Sequence, residues 1–470
     1  MNVDATRIDL CGLGVAAAAE LLARGEISAV ALTEAYLGRI KALDRKLNSY
    51  IAVTENLART AAVESDARRK AGRTLGPLDG VPIALKDNID VAGVATTGGI
   101  GARRKHVAES DAFVTAKLKA AGAVILGKLN MHEGAHGATT ANEAFGYCYN
   151  PYSEGFTPGG SSGGSGAAVA AGLCAGALGS DTLGSIRIPS SFCGISGIKP
   201  TQGLVSVRGV LPLAFSLDHV GPMAPRVADL AVMLQALAGV DFDDPLSLAP
   251  PNSFSFNLDD TKSLAGLRIG RLTDIAVRAG DALDPDVAAG YDKALNVLKS
   301  LGATIVDVTL EGFDHNKVRS RAMLIIEADL AVIHADDLER DPGGFTPGFR
   351  EGVDYGRQQS APKLAAAFEM LREVKPVAAK LFANVDAIVT PATPCTAFSF
   401  KQPMPKTLTA FTAFANYAGA PSVSVPMGLS KAGLPMGLLF TARPWADITA
   451  LRMAAAYEAA ANWNLRPKGF

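Results

Sequence analysis

Two turns and one lysine in this chain combine residue types that could do chemistry. The stretch TPGGSSGGSG, residues 157–166, sets Ser161 and Ser162 between two glycine pairs. Glycine loses more backbone freedom on folding than any other residue. Such a loop therefore either holds an anion or brings a hydroxyl into a geometry that only glycine neighbours allow. A second small-residue turn, GSDTLGSIRIPSS, presents Ser185 after a run of small residues. N–H groups converging beside a hydroxyl are what a serine nucleophile with an oxyanion hole requires. A serine also needs a base, and a lysine serves once burial removes its proton. Lys86, closing the apolar run VPIALKD, is the candidate.

Other readings of these turns fit less well. A P-loop needs a GKS or GKT that the chain lacks, and a G-x-G-x-x-G fingerprint does not fit the GGSSGG-to-helix junction. Ser161 matches the spacing of G-x-S-x-G, but no buried strand leads directly into it. His219 is the nearest later histidine, and a lone histidine is more often structural. HEGAH, from His132 to His136, matches H-E-x-x-H literally. Zinc binding requires that motif on a helix with a third ligand elsewhere, whereas here it follows a strand-like run and contains Gly134, so no metal is expected.

The elements that must hold these residues follow from periodicity. Apolar spacing of three and four predicts helix from Val15 to about Ala71, with Ser28 as an N-cap. VPIAL and AVILGKLN, 123–130, read as buried strands around a helix at 111–121, a βαβ rhythm that predicts parallel strands between helical layers. Gly134 to Gly166 reads as a long functional loop, and 166–177 as a small-residue helix. Further helices are expected at 226–238, 285–301, most of 315–383 and 446–461. Strands are expected at 267–274, 303–310 and 386–394, with a strand pair around SKAG.

The chain has 470 residues, 48% of them hydrophobic, with 45 Lys+Arg against 46 Asp+Glu. That is enough for a large core, and the balanced charge argues against a nucleic-acid surface. Cys11, Cys148, Cys174, Cys193 and Cys395 are scattered without C-x-x-C spacing, which suits reduced cysteines in a cytoplasmic protein. The longest weakly polar run, GAAVAAGLCAGALG, is too short to span a bilayer. No repeat or linker is visible. One domain over 1–470 is expected, with N-terminal helices at 1–75, a catalytic core at 76–240 and a variable helical region at 315–383.

DGVPIALKDNID, GKLNM, GGSSGGSGAAVAAG, DTLGSIRIPSSFCGISGIKPT, SLDHVGPMA and GLPMGLLFTAR occur in this order across nearly the whole chain. In them the chain resembles the amidase signature family. The resemblance implies an α/β fold, one mixed twisted sheet flanked by helices on both sides, and cleavage of amide C–N bonds by a Ser–Ser–Lys triad without a cofactor. On the matching positions it makes Lys86 the base, Ser161 the proton relay with a cis Gly160–Ser161 bond, and Ser185 the nucleophile. The oxyanion hole carries over to the N–H groups of Thr182, Leu183, Gly184 and Ser185. Ala135 falls at a backbone contact near the acyl site. Ser162, Asp181 and Arg187 become supporting residues, and Lys128 and Lys199 structural ones.

Two departures stand out: Leu183 replaces a usual glycine, and Phe156 stands where the family often has arginine. The expected function is hydrolysis of a small organic amide to a carboxylate and ammonia or an amine. Loop 131–149 shows no Arg or Lys clamp, which leans towards a neutral acyl group. The alternatives are the amidase subunit of a tRNA-dependent amidotransferase, or a silent binding protein of the same fold. The amidotransferase subunit usually carries a Tyr/Glu/Ala/Ser-rich segment that RAMLIIEADLAVIHADDLER does not match. The expected partner is the amide itself, with no nucleic acid and no membrane; a homodimer is left open.

Overall fold

The apolar runs pair into one sheet. A computed structural model describes residues 9–251, 255–258 and 263–470. Its strands are β1 (Tyr50–Val53), β2 (Pro82–Lys86), β3 (Val124–Leu129), β4 (Gly176–Asp181), β5 (Ser196–Lys199), β6 (His219–Ala224), β7 (Arg268–Leu272), β8 (Thr304–Val308), β9 (Ala387–Pro391), β10 (Ser422–Leu429) and β11 (Pro435–Ala442). They order as β1-β3-β2-β4-β6-β5-β10-β11-β9-β7-β8. β2, β3, β4, β5, β6, β9 and β11 are buried at every position, so helices cover both faces of the sheet there. Edge strand β8 has no fully buried residue.

The sheet is mixed. β2 runs parallel to both β3 and β4, and β7 parallel to β8 and β9, while the strands between are antiparallel. The βαβ rhythm thus gave the parallel segments and missed the antiparallel middle. Helix was expected throughout 15–71, but β1 interrupts it and pairs antiparallel with β3. Four residues are too few to register as an alternation. The helix expected at 166–177 is Gly163–Ala170, and the chain then turns into central strand β4. Runs of Gly and Ala carry neither the helical nor the strand period, because they have no side chains to sort by face.

Local signals elsewhere hold. The Ser28 hydroxyl accepts from the Ala31 N–H at 3.0 Å, capping the helix Ala29–Leu43. The main core packs the N-terminal helices and the C-terminal helix Asp447–Ala461 on the sheet, and a second apolar cluster forms beneath the helices of 315–383.

Candidate active site

β2 and β4 are parallel neighbours in register from Ile83–Gly176 to Leu85–Leu178, so their C-terminal ends open at the same edge. Ligand sites in α/β sheets collect outside such carboxyl ends. β2 ends on Lys86 and β4 on Ser180 and Asp181. The glycine loop closes over them from one side, and the turn Thr182–Ile186 leaves β4 into the helix Arg187–Cys193.

Lys86 is fully buried. Its Nζ lies 2.7 Å from Ser161 Oγ and 2.8 Å from Ser180 Oγ, and Asn88 Nδ2 donates to Ser180 Oγ at 3.1 Å. Burial disfavours the ammonium and brings its pKa down to about 7; the negative charges of Asp218 and Asp181 oppose this without cancelling it. Lys199 is equally buried and also reaches about 7, again through burial. Geometry separates the two. Lys199 donates to the Pro200 carbonyl at 2.8 Å and is not among the residues lining the cavity described below, whereas Lys86 faces a serine hydroxyl. Lys128 is paired with Asp87 at 3.3 Å and donates to Thr96 Oγ1 at 2.9 Å, as a structural lysine should.

The Gly160–Ser161 peptide is cis, as the resemblance implied. The glycines allow a very close approach. A Cβ on Gly160 would stand 2.7 Å from the Thr139 nitrogen, so no other residue fits between the loop and segment 138–140. The Ser161 carbonyl accepts from the His132 N–H at 3.1 Å. Ser162 joins the loop to the other turn. Its N–H donates to the Ser185 carbonyl at 3.3 Å, and its hydroxyl donates to the Ser180 carbonyl at 3.1 Å.

Ser185 is partly exposed on a cavity of about 250 Å³, which Thr182, Leu183, Gly184 and Ala135 also line. Among the described residues no acceptor takes the N–H of Leu183, Gly184 or Ser185, so these donors remain free beside the serine. Behind them, Arg187 and Asp181 form a wholly buried ion pair. Burial alone would raise the Asp181 carboxyl, but the Arg187 guanidinium and the hydrogen bonds from Arg187 and Asn416 hold it well below the usual range. The remaining bonds fix the turn: Ile186 N–H to Asp181 at 3.0 Å, Arg187 to the Thr412 carbonyl at 2.6 Å, and Thr412 to the Leu183 carbonyl at 2.6 Å.

Leu183 presents its side chain to the cavity at 8% exposure, and Phe156 packs with Ile188 and Phe192. Ala135 has φ 59°, a left-handed value that few residues with a Cβ adopt, and closes a short turn with His132. HEGAH is not an α-helix. Glu133–Ala135 form a single 3-10 turn with Gly134 at φ 55°, and Glu133 is engaged by the Thr346 N–H at 3.0 Å. Burial lowers His132 and His136 to about 4, and among the described residues no group of three metal-ligating side chains forms.

Sequence reasoning missed Ser180, Asn88 and Asp218. Asp218 holds Thr182 Oγ1 at 2.5 Å and the Leu213 N–H at 2.7 Å, bracing the turn from β6's side. It lies in SLDHV, a stretch that marks the family without pointing to a role for the aspartate. Arg319, Met323 and Ile326 also line the cavity, from the helix His315–Ile333.

The family model named Amidase matches residues 31–451. The chain belongs to the amidase family. This amidase-family chain is 39% identical over 490 residues to the A subunit of glutamyl-tRNA(Gln) amidotransferase from Chloroflexus aurantiacus, an alignment covering 98% of this chain and 99% of the relative. A structure solved in work on a vestigial protein complex and the evolutionary origins of an s-triazine catabolic enzyme matches it with TM-score 0.88 and 34% identity, covering 97% and 100% of the two chains. The native peptide amidase of Stenotrophomonas maltophilia matches with TM-score 0.86 and 32% identity, covering 97% and 98%. No helix of the described residues is long and apolar enough to cross a membrane.

Proposed function

We propose that the protein cleaves amide C–N bonds through an acyl-enzyme on Ser185. The observation that carries this reading is Lys86, buried, 2.7 Å from Ser161 Oγ and brought down to about 7 by burial. A neutral lysine accepts the Ser161 proton while Ser161 takes the proton of Ser185. Ser185 Oγ attacks the amide carbonyl, and the N–H groups of Thr182 to Ser185 receive the developing oxyanion. The proton returns through Ser161 to the leaving nitrogen and the C–N bond breaks. Water then attacks the ester, giving the carboxylate and free Ser185. Ser162, Asp181 and Arg187 keep the two turns in register.

A second reading has its own support. The curated relatives, at 39% identity in Chloroflexus aurantiacus and 36% in Thermosynechococcus vestitus, are the A subunits of glutamyl-tRNA(Gln) amidotransferases, and these names favour a role within a complex over a free amidase. On that reading the nitrogen passes to a glutamyl-tRNA instead of being released, and the expectation of no nucleic-acid partner is withdrawn. Two features pull the other way: residues 321–340 lack the expected Tyr/Glu/Ala/Ser-rich segment, and among the described residues no Asp or Glu lines the cavity to meet the ammonium of glutamine. Ammonia release by the purified chain from an amide panel that includes glutamine separates them. Turnover of simple amides by the chain alone supports the free amidase; turnover of glutamine only, and only with added partner chains, supports the amidotransferase. No turnover in either setting, with Ser185 unreactive, overturns both.

A further inference from the structure

On the helix His315–Ile333, Arg319, Met323 and Ile326 recur at i, i+4 and i+7, so they share one face, and all three line the cavity that holds Ser185. Met323 and Ile326 suit that largely apolar wall. Arg319 does not. The residue is half-buried, its Nε is buried without a hydrogen-bond partner, and among the described residues no carboxylate forms an ion pair with its guanidinium. Glu327, further along the same helix, feels the charge but does not neutralise it at contact. Thr409 Oγ1 and His136 Nε2, on two other segments of the same wall, are likewise buried and unpartnered. Lys406 adds a second cation at the exposed rim, and among the described residues no Asp or Glu lines the cavity.

Where one nitrogen of a half-buried guanidinium is closed off from water without a partner, a carboxylate can supply short, charge-assisted, often bidentate bonds. An ammonium in the same cavity would meet two cations and no acid.

We propose that the cavity selects amides whose acyl half carries a carboxylate and no neighbouring ammonium, the carboxylate being bound by Arg319; monoamides of dicarboxylic acids are the simplest members of this class. The inference rests on the amide-cleavage reading of Ser185 and deepens it to a substrate class. It departs from the neutral-acyl expectation, which rested on loop 131–149 alone. The clamp comes from a helix far along the chain.

The test compares kcat/KM for succinamate and glutaramate with that for butyramide and valeramide, uncharged analogues, and with glutamine, in the wild type, Arg319→Met and Arg319→Lys. The wild type should prefer the carboxylate-bearing amides by about tenfold or more, the scale of a charge-assisted contact, and should prefer glutaramate to glutamine. That ratio should collapse in Arg319→Met and recover in part in Arg319→Lys. A second readout needs no turnover: glutarate should raise the melting temperature of wild type and of Ser185→Ala, and not of Arg319→Met. Equal wild-type use of charged and neutral amides, glutamine preferred to glutaramate, or glutarate stabilising Arg319→Met as it does wild type would overturn the inference. Glutarate binding that depends on Arg319, without hydrolysis of any amide, would uphold it and overturn the amide-cleavage reading instead.

Discussion

Lys86 Nζ stands 2.7 Å from Ser161 Oγ, at the end of the strand that runs beside the one carrying Asp181. Burial outweighs the two nearby carboxylates, and the amine titrates near 7. This arrangement costs stability. The unfolded lysine titrates near its ordinary value, so between about pH 7 and pH 10 the unfolded chain binds the extra proton and the fold does not. Stability should therefore fall as pH drops through this window and level off below about 7. Lys86→Met removes the penalty and should be more stable than wild type at pH 7, by an amount on the order of 4 kcal/mol before the lost hydrogen bonds are subtracted. Denaturant melts of both proteins from pH 7 to 10 check this: the difference should shrink as pH rises, and a constant difference would mean Lys86 is not neutral in the fold.

Ser185 is the partly exposed serine on the cavity, beside free N–H donors, while Ser161 and Ser162 are buried. A fluorophosphonate should label the protein once, on the peptide that contains Ser185. Ser185→Ala should not label. Intact-mass measurement with peptide mapping decides this, and a label that persists at another residue removes Ser185 as nucleophile.

Asp181 and Arg187 are both fully buried and hold the turn through Ile186, Thr412 and Asn416. Asp181→Asn leaves the guanidinium uncompensated and should cost about 3–5 kcal/mol, the range for breaking one side of a buried pair. The midpoint of urea unfolding reads the loss directly. A change under about 1 kcal/mol would mean the turn does not depend on the pair.

Leu183 takes the place of a usual glycine and fills cavity space without removing an N–H. Leu183→Gly should keep the serine reactive and widen the accepted acyl group, at a cost of about 1–3 kcal/mol in stability from lost packing and added backbone freedom. Relative kcat/KM across acyl amides of increasing branching measures it. An unchanged size preference would place Leu183 outside the acyl path.

Legibility followed the reach of each signal. Lys86 was readable because VPIAL is an unbroken apolar run that had to carry the next residue inward, and Ser161 and Ser185 because glycine loops are dense in information. Ser180 and Asn88 were not, since their part depends on β2 lying beside β4, a pairing no local pattern encodes. β4 itself was hidden because GALGSD has almost no side chains to alternate. Its identity as a strand comes from its neighbours, with Gly176 pressed against Met233 and Gly179 against Ser162. Arg319 escaped notice for a related reason: an arginine on a helix reads as a solvated face until the fold turns that face inward.

In the proposed reaction an uncharged Lys86 draws the proton of Ser185 through Ser161. The most direct measurement is the acylation burst with a chromogenic anilide, followed by stopped flow across pH 5–10 in wild type and Lys86→Arg. The burst rate of the wild type should rise with pH through an apparent value near 7, as the amine loses its proton. Lys86→Arg keeps a cation at every pH and should lose several orders of magnitude, with no recovery at alkaline pH. A Lys86→Arg enzyme that still acylates at a near-normal rate would mean that the proton of Ser185 does not pass to Lys86.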